Sequence, residues 1–250
     1  MGNQIDRCIK IIEVLSEHGP IGIEKLFELT KIPMSTIFKI LKLLEKNDIV
    51  FAEQAKTEYK VWFLTLKLLR ISKNILDRFD IKEKIKDVLI ELSNEVKQIV
   101  QLAIYNYGKV MYIEVIKTKD SIINCASIGT ERDINVSAAG MLLAAHQDDR
   151  EISNLLEKTK FIKRTEYTPT SKREIKKEFE KILKNGYSYD NQQYAIGIRC
   201  LAAPVYNFAG KVIAAITITG HISTFLDENI SFLKKKLLNA ASIASKRMGY

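Results

Sequence analysis

The sequence predicts an α+β protein of two domains, and three observations lead to this fold class. A chain of 250 residues is long enough to bury two hydrophobic cores. Residues 1–63 show three amphipathic helical patterns followed by two short strand patterns. From residue 80 onward, helices are mixed with strands joined by short turns, which predicts a mainly antiparallel sheet flanked by helices. Residues 64–79 are predicted to form a linker helix between the two domains.

Two short helices are predicted at the start of the chain. Residues 4–18 carry apolar side chains at helical spacing, namely Ile5, Ile9, Ile12 and Leu15. The Gly-Pro pair at 19–20 ends this pattern, because neither residue continues a helix easily. Residues 22–30 predict the second helix, and residues 31–32 form a tight connection to a third.

The third helix is predicted to have Pro33 in its first turn, where N–H groups stay unbonded and proline lacks one. Its predicted buried side consists of Ile37, Ile40, Leu41 and Leu44. The Asn-Asp pair at 47–48 suits the turn that ends this helix. Residues 49–53 and 59–64 then predict a hairpin around the polar sequence QAKTE. Three helices followed by a hairpin form the winged helix-turn-helix arrangement.

The rest of the chain mixes helices with strands. Helices are predicted at about 65–79, 81–97, 137–146, 150–158, 171–185 and 226–248. Strands are predicted at 100–106, 109–116, 121–129, 196–207 and 211–220. Tyr107-Gly108 and residues 208–210 are the predicted turns of two hairpins. This order gives the second domain a core of its own.

Charge and cysteine content limit the possible chemistry. The formal net charge is +9, but residues 1–62 hold nine Lys/Arg and nine Asp/Glu, whereas residues 98–250 hold 22 and 15. The excess lies outside the helix-turn-helix segment, so global charge alone does not indicate nucleic-acid binding. Three cysteines and three histidines are widely separated, and no disulfide, metal site or cofactor is predicted. A signal-peptide pattern and a long apolar run are both absent, which predicts a cytoplasmic protein.

The third helix is a candidate DNA-reading element. In a helix-turn-helix, the second helix of the motif places its N-terminal residues at base edges in the major groove. The predicted DNA contacts are Met34, Ser35, Thr36 and Lys39 at the bases, and Lys42, Lys46, Lys56 and Lys60 at phosphates. Taken alone, the segment fits an ordinary surface helix better. Its place before a hairpin and a separate domain favours DNA binding.

The start of the helix at 137–146 is a candidate anion site. Ser137 is a predicted N-cap that leaves the N–H groups of Ala138, Ala139 and Gly140 for a ligand. Their small side chains let a ligand approach the backbone closely. A tightly packed helix start without a ligand explains the same residues and is favoured by the sequence alone.

Strand residues supply further candidates. Thr217 and Thr219 share one face of the strand at 211–220, which suits a polar pocket floor and equally reflects the strand propensity of threonine. Cys200 is predicted to be a buried packing residue rather than a nucleophile, because no His or Asp motif supports it. Asp190 ends a strand, as a turn residue or as an acceptor for a ligand hydroxyl. Arg199 is left outside the ligand site.

Three stretches resemble the IclR family of bacterial transcriptional regulators, and the resemblance covers nearly the whole chain. They are IPMSTIFKILKLLEKNDIV with residues 59–61, INVSAAGMLLAA at 134–145, and GYSYDNQQYAIGIRCLAAPVYNFAGKVIAAITITG at 186–220. The last is the most specific, with an aromatic-Asp pair, Gly-x-Arg-Cys, Ala-Pro-Val and a polar strand in the family's order. Asn135 and Met141 stand where the family usually has His and Lys.

The resemblance implies a ligand-responsive regulator, a repressor rather than an enzyme, that binds double-stranded operator DNA as a homodimer or tetramer. It also implies a small-molecule effector, a carboxylate, because the family often binds small organic acids. The implied effector pocket consists of Ala138, Ala139, Asp190, Ile198, Cys200, Thr217 and Thr219. Two alternatives stay open from the residues themselves: an enzyme that uses Cys200 beside an accessory winged helix, and a protein-interaction module.

Overall fold

A computed structural model describes residues 4–54, 60–76, 81–118 and 126–250, with the backbone alone for residues 72–76. The chain divides into two compact units, residues 1–79 and 80–250. Both contain buried apolar clusters of their own. The predicted phosphate contact Lys56, Tyr59 of the wing and Cys125 all lie outside the described residues.

The N-terminal unit has three helices, a hairpin and a further helix, as the predicted fold class requires. Its elements are α1 (Gln4–His18), α2 (Ile23–Thr30), α3 (Met34–Lys46), β1 (Val50–Gln54), β2 (Lys60–Leu64) and α4 (Lys67–Leu76). The two strands pair antiparallel from Val50 with Leu64 to Gln54 with Lys60. The only tryptophan of the chain, Trp62, is buried in the core that α1, α2 and α3 share with the hairpin.

The buried side of α1 includes only part of the apolar spacing that predicted this helix. Ile11 and Leu15 are buried, with Cys8 and Ile12 packed partly against the core. Ile5 and Ile9, two of the four apolar residues that predicted the helix, are 63% and 50% exposed. Several helical stripes of isoleucine and leucine overlap in this sequence. Periodicity identifies the helix, but only the packing of α1 on its neighbours selects the stripe that is covered.

The predicted buried side of α3 is confirmed at Ile37, Ile40, Leu41 and Leu44. The helix begins at Met34, one residue later than predicted, because Pro33 occupies the N-cap position. The Pro33 carbonyl accepts hydrogen bonds from the N–H groups of Thr36 and Ile37, at 2.8 and 3.0 Å. Asp48 adopts a left-handed conformation, with φ of 55°, directly after the helix. This residue turns the chain into β1.

The C-terminal unit combines one sheet with helices on both of its faces. Its helices are α5 (Ile81–Val96), α6 (Ala138–Ala145), α7 (Asp149–Lys158), α8 (Lys172–Asn185) and α9 (Ile230–Arg247). Its strands are β3 (Ile99–Asn106), β4 (Lys109–Ile116), β5 (Glu131–Asp133), β6 (Ser188–Asn191), β7 (Ile198–Tyr206) and β8 (Val212–His221). Among the described helices, none has the length and apolar content needed to cross a membrane.

The six strands follow the order β5-β4-β3-β8-β7-β6, and every neighbouring pair is antiparallel. This confirms the predicted mainly antiparallel sheet. One face packs against α5 and α9 and buries residues such as Leu102 and Ile216. The opposite face packs against α6, which in turn packs against α8, and carries Tyr112 and Cys200. The second face holds the polar residues of the candidate site.

Three features of this unit depart from the sequence predictions. The strand predicted at 121–129 is wrong in its described part, because residues 126–130 form a turn and β5 begins at Glu131. The last helix begins at Ile230 rather than 226, after a short 3-10 turn. The third departure concerns the two faces of β8. Strict alternation would place Val212 on the face of Ala214, but a bulge opposite Val205 and Tyr206 places it on the face of Ala215, and Ile213 on that of Ala214. The predicted alternation holds from Ala214 onward.

Two leucines of α3 test the buried side of this helix. We expect Leu41→Ala, at a site with no exposure, to lower the free energy of unfolding of the N-terminal unit by about 2 to 5 kcal/mol. Leu43→Ala, at a site that is 50% exposed, is expected to cost less than about 1 kcal/mol. Urea unfolding followed by Trp62 fluorescence measures both. Equal losses in the two variants would contradict the assigned side of α3.

Candidate functional site

The outer side of α3 carries four polar or basic residues in one stripe. Ser35, Lys39, Lys42 and Lys46 recur at spacings of four and three residues, opposite the buried side, and all four are exposed. Exposed Met34 and half-buried Thr36 flank this stripe. A serine hydroxyl and several lysine amines on one side of a helix can donate hydrogen bonds to bases and phosphates. This stripe is therefore the candidate DNA-contacting side of α3.

The lysines of this surface differ in how strongly the protein already holds them. Lys42 Nζ lies 2.7 Å from Glu45 Oε2, and 5.9 and 5.7 Å from the ring centroids of Phe38 and Trp62. Lys39 and Lys46 form no ion pair with any described residue. These two amines are thus more available to a phosphate than Lys42. Lys60 is exposed at the start of β2.

The C-terminal unit brings the two edges of its sheet together. A flat sheet of six strands separates its edge strands by about 24 Å. Yet the guanidinium carbon of Arg132, on edge strand β5, lies 3.7 Å from the ring centroid of Tyr194, three residues beyond the other edge strand β6. The sheet is therefore strongly curled, and the face that carries Tyr112 and Cys200 is its concave side.

Hydrogen bonds fix the loop that carries Tyr194. Thr165 Oγ1 donates to the carbonyl of Gln192 at 2.8 Å, and Thr168 Oγ1 donates to that of Gln193 at 2.6 Å. Both threonines belong to the segment between α7 and α8. That segment is held in turn by buried Asn135, whose Nδ2 donates to the carbonyls of Ile162 and Pro169, at 2.8 and 2.9 Å. Tyr194 is thus positioned from the side of α6.

A buried polar cluster lies on the concave face. Thr219 Oγ1 is 3.2 Å from both Gln101 Oε1 and Cys200 Sγ, and Thr217 Oγ1 is 3.4 Å from the same Gln101 oxygen. Gln101 Nε2 donates to the carbonyl of Ala126 at 3.4 Å. All four side chains are less than one-tenth exposed. The cluster supplies hydroxyl, amide and thiol groups for a small polar molecule.

Asp190 is a buried carboxyl group beside this cluster. It pairs with Cys200 across β6 and β7, and its Oδ1 accepts a hydrogen bond from the N–H of Gln193 at 2.6 Å. Burial raises the pKa of Asp190 to about 7, against the lowering effect of the Gln193 and Tyr194 N–H groups and of Arg132. Near neutral pH this carboxyl group can either donate or accept a hydrogen bond.

The start of α6 fits the N-cap prediction but corrects the anion site. Ser137 Oγ accepts a hydrogen bond from the N–H of Gly140 at 3.0 Å, so this N–H group is not available to a ligand. A Cβ at Gly140 would lie 2.6 Å from Ile134 Cα, which explains the glycine. Ala138 and Ala139 are fully buried in the same apolar cluster as Cys200. Half-buried Ile198 lies two residues before Cys200 on β7.

The structure gathers most of the predicted effector residues and adds others. Gln101, Tyr112, Arg132 and Tyr194 were not predicted from the sequence. Gln101 had a recognisable signal, since it is a polar residue inside the apolar strand IVQLAI. Arg132 had none, because its partner Tyr194 lies 62 positions away in the chain. Within the described part of the protein, Arg132 forms no ion pair, although its charge acts on the nearby carboxyl group of Asp190.

Cys200 and Arg199 have structural partners. Burial raises the pKa of the Cys200 thiol to about 12, which disfavours the thiolate that a nucleophile needs. The neighbouring Arg199 is buried on the opposite face, donates to the carbonyl of Phe225 at 2.8 Å and pairs with Asp227 at 2.9 Å. No group of three or more His, Cys, Asp or Glu suited to a metal ion occurs among the described residues.

A helix-turn-helix unit followed by an α+β unit with a buried polar cluster defines a ligand-responsive transcriptional regulator. The family described as "Bacterial transcriptional regulator IclR C-terminal" matches residues 73–246. The chain therefore belongs to the IclR family of helix-turn-helix transcriptional regulators. This confirms the family resemblance of the sequence, and it favours a regulator over an enzyme or a protein-interaction module.

Relatives and solved structures agree with this assignment. The transcriptional regulator KdgR of Escherichia coli is 28% identical over 240 residues, 96% of this chain and 90% of that protein. The transcriptional repressor AllR of Escherichia coli is 23% identical over 227 residues, which are 90% of this chain and 82% of that protein. The crystal structure of Thermotoga maritima IclR superposes with a TM-score of 0.77 at 25% identity and covers 98% of both chains.

A further structure of the same fold contains a ligand. It is an IclR homologue from Microbacterium hydrocarbonoxydans in complex with 4-hydroxybenzoate. It superposes with a TM-score of 0.82 at 17% identity, over 98% of this chain and 99% of that chain.

The raised pKa of Asp190 has a measurable consequence for stability. Between about pH 4 and pH 7 the folded protein holds a proton that the unfolded chain has released. The free energy of unfolding of the wild type should therefore fall with rising pH, by about 2 to 4 kcal/mol relative to Asp190→Asn. Urea unfolding at pH 5 and pH 8 measures this difference. Asp149→Asn, at an exposed site on α7, controls for the lost charge, and a pH-independent difference for Asp190→Asn would contradict the prediction.

Proposed function

We propose that the protein is a repressor that binds operator DNA through residues 1–63 and a small organic acid through residues 80–250. Residues 64–79, which include α4, link the two domains. The buried polar cluster beneath the stack of Arg132 on Tyr194 carries the proposal, because it combines several hydrogen-bonding groups with a cation that forms no ion pair with a described residue. The proposed location is the cytoplasm, where both the operator DNA and the small organic acid are present.

The proposed DNA reader is α3. Ser35, Thr36 and Lys39 contact base edges from its first turns, and Met34 adds an apolar contact beside them. Lys46, with Lys42 in a lesser role, binds phosphates, and Lys56 and Lys60 of the hairpin bind the flanking backbone. The exposure of Ser35, Lys39, Lys46 and Lys60 supports these roles.

The proposed effector is a small carboxylate that also carries hydroxyl or oxo groups. Arg132 binds the carboxylate, because the N–H group of Gly140, a candidate from the sequence, is bonded to Ser137. Thr217, Thr219 and Asp190 bind the polar groups, while Ala138, Ala139, Ile198 and Cys200 shape the pocket. The 4-hydroxybenzoate in the Microbacterium structure supports the ligand class, because it too joins a carboxylate to a hydroxyl group.

The proposed assembly is a homodimer or a tetramer on a palindromic operator. Residues 1–62 carry no net charge, which gives one copy little affinity for phosphates and favours several copies per site. Exposed Ile5 and Ile9 of α1 and Leu66 before α4 provide apolar surface for contact between copies. Effector binding shifts the spacing of the DNA-binding domains, through α4, away from that of the operator. The repressor AllR supports the sign of regulation.

The recognition helix is tested with DNA from upstream of the protein's own operon. We expect Ser35→Ala/Lys39→Ala to lower the affinity for this duplex about 10- to 100-fold, because base contacts are lost. Its affinity for a random-sequence duplex should change far less. Gel shift assays at one salt concentration measure both affinities.

Lys46→Ala is the matched control on the same helix. It should weaken binding to both duplexes by the same factor, since a phosphate contact carries no sequence information. Unchanged binding of Ser35→Ala/Lys39→Ala to the upstream duplex would show that α3 does not read the bases.

The effector site is tested by thermal shift with a panel of hydroxylated and keto carboxylates. A ligand at 100 times its dissociation constant should stabilise the wild type by about 2.7 kcal/mol. Arg132→Gln should lose this stabilisation, and Thr217→Val should lose part of it, because each removes one hydrogen-bonding group from the pocket.

Arg150→Gln, at an exposed position on α7, removes the same charge away from the pocket and should respond as the wild type does. When the carboxylate of a ligand that binds is replaced by a neutral primary amide, the resulting compound should stabilise neither the wild type nor the variants. Full stabilisation of Arg132→Gln by the carboxylate would exclude the proposed role of this arginine.

A further inference from the structure

The positive charge of the protein is concentrated in one segment of the C-terminal unit. Residues 158–184 hold ten Lys/Arg and four Asp/Glu, a net +6 of the +9 of the whole chain. This segment comprises the last residue of α7, the connecting loop and α8 except its last residue. Neither α3 nor the effector site accounts for this charge.

Much of the charge lies on one side of α8. We call this side the α8 basic face, and it consists of Lys172, Arg173, Lys176, Lys177 and Lys184. It extends from Lys172, next to the buried side, to Arg173, Lys177 and Lys184, which lie opposite the buried residues Ile175, Phe179 and Ile182. All five basic residues are exposed, and none forms an ion pair with a described residue.

The acidic residues of α8 are mostly engaged elsewhere. Glu174 completes a capping box, in which its carboxylate accepts hydrogen bonds from the N–H groups of Thr170 and Ser171. Glu178 pairs with Lys181 at 2.5 Å. Glu180 is the one acidic residue of α8 that lies among the five basic ones. The opposite wall of the groove between α7 and α8 carries Asp149 and Glu157, so the positive surface ends there.

Local electrostatics explains these positions only in part, because Asp149 and Glu157 lie across the groove but form no ion pair with the basic residues. Lys172, Arg173, Lys176 and Lys177 lie in the first two turns of α8. The helix dipole disfavours positive charge at this end, by about 0.3 to 1 kcal/mol for a residue of the first turn. Lys172 and Arg173, in the first turn, are therefore placed at a small cost in stability, which favours a role in binding a polyanion over a role in folding.

We propose that the α8 basic face is a second DNA contact, which binds the phosphate backbone of duplex DNA outside the bases that α3 reads. From Lys172 to Lys184 the helix extends about 18 Å. One DNA strand presents a phosphate every 3.4 Å along the duplex axis, so about five phosphates match this length. Residues 1–62 have no net charge, and the α8 basic face supplies the electrostatic attraction that they lack.

The test uses the full chain and a random-sequence duplex, over a series of salt concentrations. We expect Lys172→Gln/Arg173→Gln/Lys176→Gln/Lys177→Gln to reduce the slope of log K against log salt by about two to four, at about 0.9 per phosphate contact. Fluorescence anisotropy measures the slope. Thermal unfolding should show the same or slightly higher stability, because the helix dipole favours the change.

Two variants control for net charge and for side-chain shape. Lys86→Gln/Lys211→Gln/Lys235→Gln/Lys246→Gln removes four exposed charges elsewhere in the C-terminal unit and should keep the wild-type slope. Lys172→Arg/Lys176→Arg/Lys177→Arg keeps the charge of the α8 basic face and should also keep the slope.

Equal slopes for the two glutamine variants would overturn the proposal and leave the α8 basic face to an acidic protein partner. A reduced slope for the arginine variant would overturn it too, since charge would then not be the cause. This test is independent of base reading by α3, because the random-sequence duplex contains no operator. The variant Ser35→Ala/Lys39→Ala is instead judged by its loss of preference for the upstream duplex over the random one.

Discussion

The contact between the two edges of the curled sheet is the constraint on which the effector unit depends. Arg132 on β5 and Tyr194 beyond β6 meet at 3.7 Å although four strands lie between their edges. Their stacking encloses the concave face, and the hydrogen bonds from Thr165, Thr168 and Asn135 keep the Tyr194 loop in place. Together with α6, which packs on the same face, this closure gives Gln101 and the residues near it a shared interior.

The interior of the curled sheet explains the chemistry of its residues. Burial favours the neutral forms of Asp190 and Cys200, and raises their pKa values to about 7 and about 12. A thiol held in this state packs rather than reacts, whereas a carboxyl group that titrates near neutrality can adapt to the polarity of a ligand. Arg132 contributes the positive charge of the site. One enclosure thus yields both an unreactive cysteine and the polar surface of the proposed effector site.

The two units divide the electrostatic properties of the chain unequally. The helix-turn-helix segment is neutral overall and concentrates a few free amines, such as those of Lys39 and Lys46, on the outer side of α3. The C-terminal unit holds most of the excess charge, on and before α8. Sequence-specific reading needs few, well-placed donors, whereas attraction to a polyanion depends on total charge. This distribution of charge therefore matches the two proposed roles, namely base reading by α3 and attraction to the phosphate backbone by α8.

The sequence by itself determined the three helices and the hairpin of the N-terminal unit, most elements of the C-terminal unit, the buried side of α3 and the family. These rest on local signals: periodicity, Pro33, the Asn-Asp turn at 47–48, and motifs that are contiguous in the chain. Only the tertiary structure decided which stripe of α1 is covered, where β8 bulges, and that Gly140 bonds to Ser137. It also brought Arg132 and Gln101 to the polar cluster. Contacts between residues far apart in sequence follow from sheet curvature and packing, and no local pattern encodes them.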